Sequence, residues 1–117
     1  MRKWWAVSLI GLLLVMAGCG DQGIPAEKPA VIGDVTEVVD EGFLLRAEQD
    51  LIQSGDVYSV SITKETSIYL KEEDDVTAVK SEEIREGQRI SLWIKGGVRE
   101  SYPPQVDAKV VLIQSSQ

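Results

Sequence analysis

Two segments with alternating apolar residues, close together near the C-terminus, constrain the fold of this chain more than any other feature. In Gln88–Lys95 every second residue is apolar, with isoleucine or leucine at 90, 92 and 94. A period of two is typical of a half-buried β-strand, because successive side chains point to opposite faces. The glycine pair Gly96-Gly97 predicts a turn after this strand, and Val98–Tyr102 is expected to return beside it.

The second segment begins after Pro103-Pro104, which lack the N–H groups that a strand ladder needs. Its alternation predicts one buried face and one exposed face. The residues expected to face inward are Val106, Ala108, Val110 and Leu112.

The preceding residues predict further short strands. Val31–Val39 is rich in β-branched residues, and Phe43–Gln49 follows the turn signal Asp40-Glu41-Gly42. The two segments predict a hairpin in which Gly42 takes the positive φ. Val57–Thr63 also alternates, with Tyr58, Val60 and Ile62 on one face, and Thr66–Leu70 predicts another short strand.

Helix signals are confined to one place. Ser81 has the character of an N-cap, and Glu82 and Glu83 follow it, where the helix dipole favours acidic side chains. We expect one or two helical turns that bury Ile84 and end near Gly87.

A chain of 117 residues holds one domain of this kind. Five or six short strands with one short helix predict a mainly β fold over residues 31–117, a small OB-like antiparallel β-barrel. Closure removes the exposed edges that a small sheet would otherwise present to water. An open sandwich or a strongly curved meander is the alternative.

The N-terminus has the features of a targeting segment. Basic residues at 2 and 3 precede the apolar run Ala6–Ala17, which is too short to span a membrane, so residues 1–18 are predicted to be a signal peptide. Ala17-Gly18-Cys19 resembles the lipobox of bacterial lipoproteins. The resemblance implies that Cys19 becomes a lipidated mature N-terminus carrying acyl chains such as palmitate. An ordinary signal peptide with an incidental cysteine is the alternative.

Cys19 is the only cysteine in the chain, so no intrachain disulfide can form. Lipidation accounts for a lone cysteine in an exported protein. Gly20–Ala30 is rich in glycine, proline and charge and has no apolar periodicity. Residues 19–30 are therefore predicted to be the lipidated cysteine and a flexible linker.

The balance of charge excludes some partners. The formal charge is −7, and without the two basic leader residues it becomes 10 − 19, or −9. Nucleic-acid binding needs clustered positive charge, and so does docking to an anionic bilayer. We therefore expect no nucleic-acid partner, and contact with the membrane through the lipid alone.

The sequence holds no recognisable catalytic or metal-binding set. It has no histidine, which excludes a Ser-His-Asp triad and an imidazole metal site. Ser61–Lys64 matches Ser-x-x-Lys by chance, because a strand points the two side chains to opposite faces. The consecutive acids Glu72–Asp75 lack the alternating ligands and the glycine of a calcium loop, which favours a solvated loop. We predict no enzyme, no cofactor and no metal.

The segment Ile84–Ile113 resembles the C-terminal signature of the YobA-like family of Gram-positive lipoproteins. The matching features are Gly87-Gln88 at the start of a strand, Gly96-Gly97 at its end, the Glu-Ser-Tyr-Pro run at 100–103 and the alternating strand from Val106. That family has no known function. The resemblance implies a small β-barrel lipoprotein and no activity.

Two functions fit these expectations. The first is a monomeric, non-catalytic binding module, held by lipid on the extracytoplasmic face of the cell membrane, that binds a protein, peptide or glycan. The second is a structural or accessory subunit of a membrane-protein complex. The residues suited to a binding patch are Trp93, Arg99, Glu100 and Tyr102, because aromatic residues and arginine dominate binding hot spots. The favoured alternative is structural: Tyr102 plugs one end of the barrel.

Overall fold

A computed structural model describes residues 23–115. These residues form seven β-strands and one short 3₁₀ helix. In chain order the elements are β1 (Val31–Val39), β2 (Gly42–Asp50), β3 (Val57–Ser61), β4 (Ser67–Glu72), β5 (Asp75–Ala78), the 3₁₀ helix (Ser81–Glu83), β6 (Arg89–Arg99) and β7 (Gln105–Gln114).

Five of the strands close into a barrel, as the alternating pattern predicted. Their order is β3-β2-β1-β6-β7, and β3 pairs with β7 to complete the ring. The closing pair is parallel, and the other barrel pairs are antiparallel. The hairpin β4–β5 lies outside the ring, where β4 pairs with the second half of β7 on the edge whose first half pairs with β3.

The β1–β2 hairpin forms as predicted, but its glycine has a different role. The left-handed residue is Glu41, with φ of 62°, and not Gly42. Gly42 begins β2, where a Cβ atom would lie 2.0 Å from the carbonyl oxygen of Val60. A glycine is needed there because β2 and β3 approach too closely for a side chain.

The predicted turn at Gly96-Gly97 is wrong, because β6 continues through both glycines to Arg99. Lys95 pairs with Asp107 and Arg99 with Gln105, so between these two pairs β6 advances four residues while β7 advances two. The extra residues form a bulge, in which Gly96 takes a φ of 76°. The chain reverses later, over residues 100–104.

The predicted inward face of the last strand is correct only in its first half. Val106 and Ala108 lie in the barrel core, but Val110 and Leu112 pack outside it, and Val111 and Ile113 point inward instead. Trp93 pairs with Val110 while Ile94 pairs with Ala108. The unpaired residue between them, Lys109, is a bulge that inverts the alternation.

The predicted helix is a single 3₁₀ turn over Ser81–Glu83, without a side-chain cap. Its apolar contact is confirmed, since Ile84 is buried. The acids at 72–75 form the turn of the β4–β5 hairpin, and β5 itself was not predicted. In the described part of the chain, no helix has the length and hydropathy that a membrane span requires.

The hydrophobic core fills the barrel. It draws on every barrel strand, on β4 and on the segment after the 3₁₀ helix. The buried members are Val31, Val35, Phe43, Leu45, Tyr58, Val60, Ile68, Ile84, Ile90, Leu92, Val106, Ala108, Val111 and Ile113.

Candidate binding groove

A groove runs along the outer surface of β2 and β3 between two loops. One bank is the β2–β3 loop, residues 51–56, and the other is the β6–β7 loop, residues 100–104. The groove encloses about 590 Å³, and its lining is Leu44, Ser54, Gly55, Asp56, Val57, Ser101, Tyr102, Pro103 and Pro104. Leu44 and Val57 point outward because their neighbours Phe43, Leu45 and Tyr58 fill the core.

The β2–β3 loop is held by one carboxylate and one phenol. Asp50 Oδ1 accepts the backbone N–H groups of Ile52 and Gln53, each at 2.8 Å. Asp50 Oδ2 accepts the Tyr58 hydroxyl at 2.8 Å, and that hydroxyl accepts the Ser54 N–H at 2.8 Å. The Tyr58 ring is fully buried, so the loop is fastened directly to the core.

This environment changes the acidity of Tyr58. Burial raises the pKa of the phenol, and the hydrogen bond to the Asp50 carboxylate raises it further, while the Ser54 N–H acts in the opposite direction. Both raising effects favour the neutral phenol, which is the form that donates to Asp50.

The β6–β7 loop is closed at its base by an ion pair. Arg99 Nη1 and Nη2 donate to the two carboxylate oxygens of Asp107, at 3.1 and 3.0 Å. The hydrogen bonds from Arg99 hold the pKa of Asp107 below its usual value, and those same bonds raise the pKa of Arg99. The paired ends of β6 and β7 therefore position the loop between them.

The two banks meet at the bottom of the groove. Pro104 is buried, and its carbonyl oxygen accepts the Ser59 N–H at 2.9 Å. A Cβ atom on Gly55 would lie 3.2 Å from Pro104 Cγ. The loops thus pack against each other at this point, and the groove is open above it.

Tyr102 stands on the rim, and the prediction that it plugs the barrel is wrong. Its relative exposure is 101%, the largest among the big apolar side chains of residues 23–115. Tyr102 lies in the reversing loop between β6 and β7 and not on a strand, and it is not part of the buried core. Its ring is free to contact a ligand.

The predicted patch does not form one surface. Trp93 is buried on the outside of β6, where its Nε1 donates to the carbonyl oxygen of Glu27 at 2.9 Å. Arg99 is occupied by Asp107. Glu100 is exposed beside Tyr102 and has no side-chain hydrogen bond within residues 23–115. Of the four residues, Tyr102 alone lines the groove.

Two parts of the groove were not identified from the sequence: its base, formed by Leu44 and Val57, and the β2–β3 loop on the side opposite Tyr102. Leu44 carried a signal, because it is an apolar residue on the outward face between inward-facing Phe43 and Leu45. Asp56 and Val57 carried none, since only the pairing of distant loops brings them beside Tyr102.

The groove presents both apolar and polar groups at the surface. It offers an aromatic ring, two prolines and an aliphatic floor, with Asp56 and the Ser54 hydroxyl for polar contacts. The Ser101 hydroxyl donates to the carbonyl oxygen of Pro103 at 2.7 Å, within its own loop. Among the described residues, no cluster of three or more acidic, histidine or cysteine side chains has the arrangement to hold a metal ion.

The strand order and the parallel closing pair define a small OB-like β-barrel. In this class the face of the second and third strands binds ligands, together with the loop between the first two strands and the loop before the last strand. The family model described as protein of unknown function, DUF3221, matches residues 33–113, and the chain belongs to this family. No curated protein and no solved structure matches the sequence.

Proposed function

We propose that the chain is a lipid-anchored, extracytoplasmic binding module whose groove holds an extended peptide segment carrying apolar and basic residues. Within its family we place it with the YobA-like lipoproteins. The observation that carries the proposal is the fully exposed Tyr102 ring beside Pro103 and above the apolar floor of Leu44 and Val57.

The form of the groove supports a peptide ligand. Extended, proline-containing segments dock into grooves lined by aromatic rings, because little chain entropy is lost on binding. Asp56 on the lining and the charge of −7 on the whole chain favour a basic partner over an acidic one. The absence of histidine from the sequence and the openness of the groove support a non-catalytic role.

The location rests on the leader. Residues 1–18 have the character of a lipoprotein signal peptide and Cys19 that of the lipidated residue, and both lie outside the described residues. Two acyl chains would hold the protein stably, since each buried CH₂ contributes about 0.8 kcal/mol. Mass spectrometry of the membrane fraction should find an acylated Cys19 and no peptide from residues 1–18. An unmodified N-terminus at another residue would refute the anchor.

The ligand class is tested by selecting random peptides on phage against the full-length protein in vesicles. We expect enrichment of peptides with basic and apolar residues. Tyr102→Ala should weaken their affinity about tenfold or more, as loss of an aromatic anchor does. The matched control is Val39→Ala, which shortens another exposed apolar side chain, at 40% exposure, at the end of β1 and outside both banks of the groove.

Circular dichroism of both variants confirms that each is folded. An equal loss of affinity in the two variants would show that the peptides do not bind in this groove. Failure to select peptides, together with binding of the same protein to arrayed glycans, would replace the peptide with a sugar polymer.

A second surface favours the alternative of an accessory subunit. Val38 and Val39, at the end of β1, are 44% and 40% exposed and border a smaller pocket with Ile62 and Ile84. An apolar patch of this kind fits another protein. Val38→Ser should then abolish co-purification with a membrane protein that Tyr102→Ala leaves bound.

A further inference from the structure

The residues before β1 lie against the outside of the barrel. We call residues 23–30 the N-terminal strap. The indole Nε1 of Trp93 donates to the carbonyl oxygen of Glu27 at 2.9 Å, and the Ala30 N–H donates to the carbonyl oxygen of Leu92 at 2.7 Å. These contacts hold the strap across β6.

The beginning of the strap is also held. Ile24 packs against a cluster on the outer surface of β6 and β7, formed by Trp93, Val110 and Leu112. Gly23 lies against Tyr69 so closely that a Cβ atom would sit 2.0 Å from the phenol oxygen. The strap is therefore fixed to the barrel from its first residue.

The groove and the beginning of the strap lie at opposite ends of the barrel. Strands β3 and β4 both run parallel to β7. The groove lies where β3 and β7 begin, beside Val57 and Pro104. Tyr69, which holds Gly23, pairs with Leu112 near the end of β7. The seven residue steps from Gln105 to Leu112 span about 23 Å at roughly 3.3 Å each.

The spacer to the lipid is shorter than that separation. Cys19 and Gly23 are four residues apart, which allows about 14 Å when the chain is fully extended. Barrel strands tilt by about 35–45° from the barrel axis, so about 23 Å along β7 corresponds to about 16–19 Å along the axis. If the groove faced the bilayer, the start of the strap would stand at about that height above it, beyond the reach of the spacer.

We infer that the strap holds the domain with the groove opening away from the bilayer to which it is anchored. The inference rests on the proposed lipidation of Cys19. The groove is thereby presented to partners in the extracytoplasmic space, and lipids and membrane-embedded segments of the anchoring bilayer are excluded from it. A free linker from Cys19 to Ala30 would reach about 40 Å and impose no such orientation.

The orientation is measured by energy transfer from a dye on the protein to an acceptor on lipid headgroups. The full-length acylated protein is placed in phosphatidylcholine vesicles containing a rhodamine-labelled lipid. Cys19 is the only cysteine, and the proposed thioether bond to diacylglycerol blocks its sulfur, so an introduced cysteine is the one reactive thiol. Thr77→Cys marks the exposed side of β5 near the strap, and Ser54→Cys marks the groove loop. We expect transfer from position 77 to be roughly twofold or more above that from position 54, because the two ends of the barrel are offset by about 16–19 Å along its axis.

A lengthened spacer is the control. Ten glycine and serine residues inserted between Asp21 and Gln22 extend the reach to about 50 Å, and the two positions should then transfer equally. Trp93→Phe keeps an aromatic ring but removes the bond to Glu27, and it should reduce the difference. Equal transfer in the acylated parent protein, or a difference that survives the insertion, would overturn the orientation alone. An unacylated Cys19 would overturn the anchor and the orientation together.

Discussion

The hydroxyl of Tyr58 is the most informative single group to remove, because it fastens one bank of the groove to the core. Tyr58→Phe keeps the buried ring and deletes one hydrogen bond to a carboxylate and one from the Ser54 N–H. A hydrogen bond to a charged group contributes about 1.5–3 kcal/mol, whereas the exposed Ser54 amide can bond to water instead. We expect the free energy of unfolding to fall by about 2 kcal/mol.

The measurement is urea denaturation followed by circular dichroism, with the slope of the transition compared between variants. For a domain of this size the loss corresponds to a melting temperature lower by about 10 °C. Tyr102→Phe is the matched control, since its ring is fully exposed, and it should change stability by less than about 0.5 kcal/mol. A Tyr58→Phe variant as stable as the parent protein would show that the hydroxyl does not fasten the β2–β3 loop to the core.

The same variant carries a pH signature. The pKa of Tyr58 is raised in the folded protein, so the neutral phenol stabilises the fold. This contribution is complete below the unfolded pKa of about 10 and is lost as pH rises through the folded pKa. The stability difference between parent and Tyr58→Phe should therefore shrink above pH 10. A difference that stays constant to higher pH would show that the hydroxyl does not titrate in place.

Two further predictions concern the backbone and the ion pair. Gly42→Ala places a methyl group against the carbonyl oxygen of Val60 and should lower the free energy of unfolding, measured by urea denaturation, by about 1–3 kcal/mol. Gly97→Ala is the control, because the space around its Cβ position is open, and it should not lower the free energy of unfolding. Equal effects of the two substitutions would contradict the close approach of β2 and β3 at Gly42. Asp107→Asn should destabilise the protein at neutral pH but not at pH 2, because a carboxyl group with a lowered pKa contributes stability that is lost as pH falls through its folded pKa. If the stabilities of parent and variant differ by the same amount down to pH 2, the ion pair with Arg99 does not cause the destabilisation.

The sequence alone was enough to predict the class of fold and several of its faces. The inward positions of β3 and of the first half of β6 followed from alternation, because a residue's face in a regular strand depends only on whether its position is odd or even. The β1–β2 hairpin followed from a turn signal between two β-branched or apolar runs. These features are local, and local patterns determine them.

The tertiary structure decided everything that depends on pairing between distant segments. The bulge at Lys109 exchanges the faces of Val110 and Val111, and only the register with β6 requires it. The glycine pair Gly96-Gly97 predicts a turn, but pairing with β7 keeps β6 extended through both glycines. Trp93 alternates onto the outer surface as expected, but the strap covers it there.

The candidate groove is one of the features that depend on pairing between distant segments. Tyr102 was identified from its residue type, but its role depended on where barrel closure placed the β6–β7 loop. Val57 and Pro104 are 47 positions apart, and they meet because β3 pairs in parallel with β7. Alternation along one strand specifies which side chains can be buried together. It holds no information on which loop will lie opposite another, because that depends on the register of strands far apart in the chain.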